Sequence, residues 1–378
     1  MKRMFLLIAL FSFFSTVHAR QVIDNPAQPL SSQSGRVVTL KEVLRITDEG
    51  DAFYFQRPNR LHIGPDGAIF VADTDQLLWF GPDGKFIRNF FKKGQGPGEL
   101  SYVNDFAVSD HDLIVHNGNP SKIVRLGFDG RLLKDFSVRT SGGSLQLLGV
   151  HGETYAFIKT PFPMMNAISG MEAVAEQKNA LLSVVEGVEG FKESVSFPTQ
   201  VFVKKSKGGG GAIIPLNKII AVPYLETKAL ISHTPEYAVK IVDVERGEVL
   251  RSIRRKYERI KTSAEDKKGI RGGAMIDGKV VVAPAPEFAP DIVNLFIHDK
   301  DIWVATSTKS KDKGVLIDVF DSDGVYRDSF YLALPEPPDW NIARPAPQVV
   351  RGDFLYAIEK DSEESYMIKK YKIGGHRK

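Results

Sequence analysis

Alternating apolar and polar positions recur along this chain in units of one design. In AIFVADTDQLLWFGPDGKFIRNF (68–90), a β-rich run is followed by a polar break, a second β-rich run, an Asp-Gly turn and a third alternating run. The same order returns at 112–136, DLIVHNGNPSKIVRLGFDGRLLKDF, and again at 228–253 and 301–330. In all four, an apolar residue follows the turn glycine by six positions: Gly84 to Phe90, Gly130 to Phe136, Gly247 to Ile253 and Gly324 to Phe330. That fixed offset puts each pair on the same hairpin and strand of a repeated unit. Asp-Gly between alternating runs favours tight turns whose twist matches antiparallel strands, and almost no window sustains a helical period. A repeat of roughly 45 residues built from four strands predicts an all-β propeller.

Six such units fit. The first two run from Arg57 to Phe91 and from Tyr102 to Val138. A third, diverged one begins at 144–158, is interrupted, and resumes at 179–197. The fourth covers about 216–256 and the fifth about 291–332. The sixth, QVVRGDFLYAIEKDSEESYMIKKYKI (348–373), supplies only three strands. GRVVTLKEVLRI (35–46) is therefore expected to complete the last blade and close the ring, since an open ring would leave a bare edge. The expectation is one six-bladed domain of four-stranded antiparallel blades over 35–375, although a length prior of about 150 residues per domain would suggest two or three.

The first 19 residues change the picture of where the protein works. MKRMFLLIALFSFFSTVHA has a basic start, an apolar run and small residues before Ala19, the pattern of a cleaved signal peptide. The apolar run is shorter than the roughly 20 residues that span a bilayer. The mature protein is expected to be exported, periplasmic or secreted, with no retained anchor and a flexible segment over 20–34. The chain has no cysteine, which excludes disulfides, thiolate metal sites, cysteine nucleophiles and a lipoprotein anchor. Losing Lys2 and Arg3 from 50 basic residues leaves a balance near +2 against 46 acidic ones, which argues against a nucleic-acid partner.

GQGPGEL, with Gly94, Gly96 and Gly98 beside Lys92 and Lys93, could be taken for a phosphate-binding loop. Such a loop needs a helix behind its glycines, whose first amides face the anion. The chain instead continues as SYVNDFAV and DLIVHN, a strand pair, so the glycines are expected to turn it from the first blade into the second.

Strand order also predicts where a site would lie. First-to-second and third-to-fourth turns share one rim and are short. Second-to-third turns and blade connections share the other rim, which takes the long segments 160–178, 198–215, 257–290 and 334–347. Long loops in compact domains bind, cover or flex, so this rim, around the channel mouth, is the expected binding surface. Asn59, Asn104 and Asn294 fall at or near the starts of inner strands, with Arg57, Glu99, Tyr102 and Asp105 close by. Asp73, His116, Asn117 and His233 end second strands. Together they read as polar groups around a ligand, or around calcium or another hard cation that takes carboxylate and amide oxygens. The plainer reading is that Asn and Asp satisfy backbone groups at strand ends. His116 is the most pointed candidate, because the aligned positions are Ala72, Ser232, Ala305 and Ala357. A base or metal ligand and a structural histidine are both open there. Phe162, Met164, Met165, Phe288 and Trp340 lie in the long segments, where aromatic and Met residues suit an interface. No HExxH, GxSxG or other catalytic spacing surrounds any of the eight histidines.

FGPDGKFIRNFFKKGQGPGEL and APEFAPDIVNLFIHDKDIWV (285–304) resemble stretches of exported bacterial six-bladed propellers related to NHL repeats. The resemblance implies the fold and export. Propellers of this kind include sugar-lactone hydrolases, amidating lyases and protein-binding modules, so fold does not decide function. The leading expectation is a non-catalytic module binding a protein, peptide or glycan on the long-loop rim, without a cofactor. The alternative is a metal-dependent hydrolase or lyase similar to the sugar lactonases, with a divalent cation in the channel. A purely structural envelope component is a third reading.

Overall fold

The expected turns form as the sequence dictates, and their glycines show why. In a computed structural model, which describes residues 21–138, 143–161, 171–188, 190–208, 210–263, 273–336 and 347–374, the four repeat glycines Gly84, Gly130, Gly247 and Gly324 all have left-handed φ, between 70° and 85°. Blades one, two and five use the same turn: the amides of Gly84, Gly130 and Gly324 donate to the carbonyls of Gly81, Gly127 and Asp321 at 2.8–2.9 Å. All four of these glycines also abut the preceding blade, Gly130 beneath the flexible Arg88 guanidinium. A Cβ on Gly84 would meet Leu44 at 2.9 Å, one on Gly247 would meet Ser194 at 2.3 Å, and one on Gly324 would meet Ile253 at 2.8 Å. Conformation and close approach thus both demand glycine. Gly324→Ala is expected to lose about 2 kcal/mol in urea unfolding, and an unchanged midpoint would contradict this packing.

The described residues are strand, turn and loop, with no helix. Blade one orders Arg60–Ile63, Ile69–Asp73, Gln76–Phe80 and Phe86–Asn89 from inside outward. Blade two orders Val103–Val108, Asp112–Gly118, Ser121–Gly127 and Leu132–Ser137. Blade four begins at its inner strand, Ile220–Tyr224, blade five at Ile292–His298 and blade six at Gln348–Arg351. Each inner strand touches that of the next blade, and the sixth touches the first. The core lies between sheets, where side chains such as Phe70, Phe106, Phe157, Leu230, Trp303 and Tyr356 are buried. Stacking covers faces that one blade would leave wet.

The closing strand is Arg36–Ile46. Its Thr39–Ile46 part pairs antiparallel with Tyr366–Gly374 as the outer strand of blade six, as expected. Its first residues, Arg36–Val38, pair parallel with Phe330–Leu332 of blade five, so one strand joins two blades into an eight-stranded sheet.

Three expectations about the chain need correction. The segment 20–34, expected to be flexible, contains the strand Gln21–Asn25, which pairs parallel with Arg251–Arg255 at the edge of blade four. Asn25 is buried because its amide donates to the carbonyls of Arg254 and Gly324 and accepts from the amide of Tyr326. Blade three has five strands rather than four: Ser144–His151, Thr154–Thr160, Glu172–Val185, Lys192–Lys205 and Gly211–Pro215. Its third and fourth strands run 14 residues each, so much of 160–178 and 198–215 is sheet rather than loop. The 257–290 connection likewise holds a hairpin, Gly273–Ile276 with Lys279–Val282.

Candidate binding face and channel mouth

The extended strands of blade three project from the rim that carries the blade connections, and the 273–282 hairpin meets them there. Phe202 and Ile214 of the extension pack with Ala283, Leu216 and Val281 in a small core. Asp277 takes the Ser206 hydroxyl at 2.5 Å and the Lys207 amide at 3.1 Å. Two separate insertions thus condense into one accessory layer, a cap over part of this rim. In the hairpin, Met275 pairs with Val280 and Gly273 with Val282. Alternation sends Val281 inward and the flanking residues outward. Met275, Val280 and Val282 are accordingly 71%, 69% and 52% exposed, and Val174 on the blade-three extension is 56% exposed.

Below the cap, inner strands carry polar links from blade to blade. The Arg60 guanidinium lies 3.3 Å from Asp105 and donates to the Asn104 carbonyl. The Asn104 amide donates to the Leu145 carbonyl at 2.7 Å, and Gln146 donates to that of Ala221 at 3.3 Å. Four blades are tied in series around the channel. Gln146 and Arg60 escape sequence reasoning because only the register of adjacent blades reveals their partners.

The expected site residues divide by role. Asp73 accepts the amides of Gln56, Arg57 and Thr74 at 2.6–2.7 Å. Asn117 does the same for Ser101 and Tyr102 at 2.8 and 3.0 Å, and Asn217, which no sequence signal singles out, takes the Gln200 amide at 2.7 Å. A second-strand end or blade connection is pinned by one side chain in each case, the use typical of Asx residues. Glu99 accepts the Gly96 amide at 2.9 Å. Gly98 donates to Asp135 and the Gly96 carbonyl accepts from Lys122, so the glycine triplet is a bound corner leading into a strand, not a phosphate cradle. Arg57 and Tyr102 are exposed. Asn59 donates to the Arg57 carbonyl, and its Oδ1 is buried without a partner. Trp340, Phe162, Met164 and Met165 lie outside the described residues.

The two histidines are held as neutral rings. Lys240 donates to Nε2 of His233, whose Nδ1 donates to the Pro198 carbonyl; burial, aided by Lys240, pushes its pKa down. His116 meets the Asn104 amide through Nδ1 and the Ser121 hydroxyl through Nε2, both at 3.2 Å. Burial lowers its pKa to about 4, against a smaller upward pull from Asp105. An unfolded histidine takes its proton near 6.5 and the folded His116 only near 4. Its contribution to stability is therefore complete above pH 6.5 and lost as pH falls toward 4, about 3 kcal/mol over that window. His116→Gln should flatten that part of a stability–pH curve from denaturant titrations. An equally steep curve would contradict it.

A hard cation needs several converging oxygens. Asp105 Oδ1 is engaged by Arg60 and the Phe106 amide, and Asn294 Oδ1 by the Leu295 amide, while Asn104 presents its NH2 to His116 and Leu145. Among the described residues no three His, Asp or Glu side chains gather as a metal-binding group. Asp105, Asn294 and Asn104 thus spend the named atoms on bonds within the protein.

Comparison with known proteins agrees with the fold. The profile of a family described as a 6-bladed beta-propeller matches residues 49–179. A putative exported protein from Bacteroides fragilis superposes with a TM-score of 0.53 at 11% identity, covering 94% of this chain and 100% of that one. A member of the duf4221 family from Bacteroides vulgatus gives 0.52 at 10% identity, covering 90% and 99%. No curated protein matches the chain. Among the described residues no helix is long and apolar enough to cross a membrane.

Proposed function

We propose that this six-bladed propeller is an exported, non-catalytic binding module whose partner docks on the capped rim. The observation that carries the reading is the cap itself: insertions from two blades join on one rim and leave an outward strip of Met275, Val280 and Val282 uncovered. Apolar side chains held outward on a short, braced hairpin need a reason, since they would be free to be polar. The strip is aliphatic rather than aromatic, which favours a polypeptide over a glycan, whose sugar rings stack on aromatic faces. Export is supported by the leader sequence at 1–19.

The test substitutes Met275→Ser, Val280→Ser and Val282→Ser together and compares captured polypeptides with those of the wild type, fold being checked by circular dichroism. A loss of about 2–3 kcal/mol from three truncated apolar contacts corresponds to at least a tenfold drop in recovered partner. An identical set of captured polypeptides at equal yield counts against the proposal.

A further inference from the structure

We infer that the channel mouth between blades four and five holds a subsite for a single carboxylate group, formed by the Lys218 ammonium and the Asn294 side-chain amide. Lys218 lies two residues before the inner strand Ile220–Tyr224, and Asn294 lies on Ile292–His298, the inner strand next to it around the ring. Asn294 occupies the ring position that Arg60 and Asp105 hold in blades one and two, each facing the second-strand residue at the aligned place: Ala305, Ala72 and His116. There Arg60 and Asp105 satisfy each other. Asn294 has no such neighbour among the described residues.

Its orientation is fixed, because Oδ1 accepts the Leu295 amide at 3.0 Å. The NH2 group is left as the free end, buried and without an acceptor in a residue only 5% exposed. A buried donor with nothing to bond is costly and rare. Lys218 presents the matching anomaly, a half-buried lysine with neither an ion pair nor a hydrogen-bond acceptor among the described residues. Burial alone holds its ammonium down at about 8, so the group still carries its charge at neutral pH, and an anion arriving there would stabilise that charge and raise the midpoint.

Two donors and one unneutralised positive charge match a monoanionic carboxylate. A phosphate dianion would keep one charge uncompensated: Arg60 is already paired with Asp105, and His116 is neutral at physiological pH. The subsite lies on the face assigned above to the partner. A partner's acidic side chain or free carboxyl terminus is the natural occupant. Acetate binding is read on Lys218 alone and partner capture on the cap, so either can fail without the other.

The test is NMR of protein labelled in its lysine Cε groups, with Lys218→Met identifying the resonance. At constant ionic strength, sodium acetate should move the Lys218 signal saturably and raise its titration midpoint from about 8, leaving the exposed lysines unmoved. Lys218→Met should weaken acetate binding at least about tenfold by calorimetry, the loss expected for one charge-assisted hydrogen bond. Asn294→Asp replaces the free donor with a carboxylate and should raise the Lys218 midpoint without acetate while blocking acetate. No saturable response to acetate, or an unchanged Lys218 midpoint in Asn294→Asp, would overturn the subsite. Inorganic phosphate binding as tightly as acetate would overturn its assignment to a carboxylate.

Discussion

A chain begun at Thr47, lacking the strand Arg36–Ile46, is expected to lose cooperative folding altogether. Val38 and Ile46 of that strand are 2% and 5% exposed, Leu40 packs against the core between blades five and six, and Leu44 against that between blades six and one. Burial of an aliphatic side chain is worth roughly 1.5–3 kcal/mol, so the four together are worth about 5 kcal/mol or more, a large part of the roughly 5–15 kcal/mol that usually holds a domain. The truncation would also bare the edges of Tyr326–Leu332 and Tyr366–Gly374 at once, and exposed edges pair with other chains. Size exclusion should show aggregate and thermal scans no sharp transition. A monomer melting like the full chain would contradict this role.

Asp318→Ala should cost about 3–5 kcal/mol, the range for removing one partner of a buried ion pair. Asp318 is fully buried between blades four and five. It accepts from Arg255 Nε at 2.7 Å, Tyr237 at 2.7 Å and Tyr326 at 2.5 Å. Burial pushes its carboxyl up, and Arg255 and both hydroxyls pull it back. The Arg255 guanidinium lies about 5 Å from the ring centroids of Tyr237, Tyr257 and Tyr326 and reaches the Ala27 carbonyl. Removing the carboxylate would strand that cation and two hydroxyls away from water. Urea unfolding of Asp318→Ala measures the cost, and a loss below about 1 kcal/mol, the ceiling usual for exposed pairs, would show the cluster to be dispensable.

The ring is legible in the sequence because each blade writes its own signature locally: the turn glycine, the apolar residue six positions on, the alternation between them. The missing strand of blade six is legible by subtraction, with 35–46 the remaining run of strand character. The cap is legible only in part. AMIDGKVV contains an Asp-Gly between alternating residues, and Asp277 and Gly278 take the left-handed φ values of 48° and 73° that such a hairpin uses. In sequence it reads as loop because it sits in a long connection rich in Lys and Gly. Lys204 and Lys205 in the blade-three extension mislead in the same way, since a sheet reaching beyond the rim tolerates charges that a core strand would not. Other features leave no local mark. Asn25 is bonded to residues some 230 and 300 positions away. Nothing in the sequence around Lys218 marks the burial that lowers its pKa. Asp73 and Asn117, suggestive as ligands in sequence, are occupied with backbone amides.

Closure of the ring by the start of the chain is the claim on which rim, cap and channel mouth depend, and a cross-link tests it most directly. The chain has no cysteine, so paired cysteines placed at Lys41 with Lys372, or at Glu42 with Tyr371, report without background. Both pairs face each other in the register, and in an antiparallel ladder adjacent pairs alternate between wider and closer spacing, so one of the two suits a disulfide. Mild oxidation should give an intramolecular bond in at least one variant, in a monomer that melts higher than its reduced form. Failure of both pairs to bond, or bonds formed only between chains, would contradict closure.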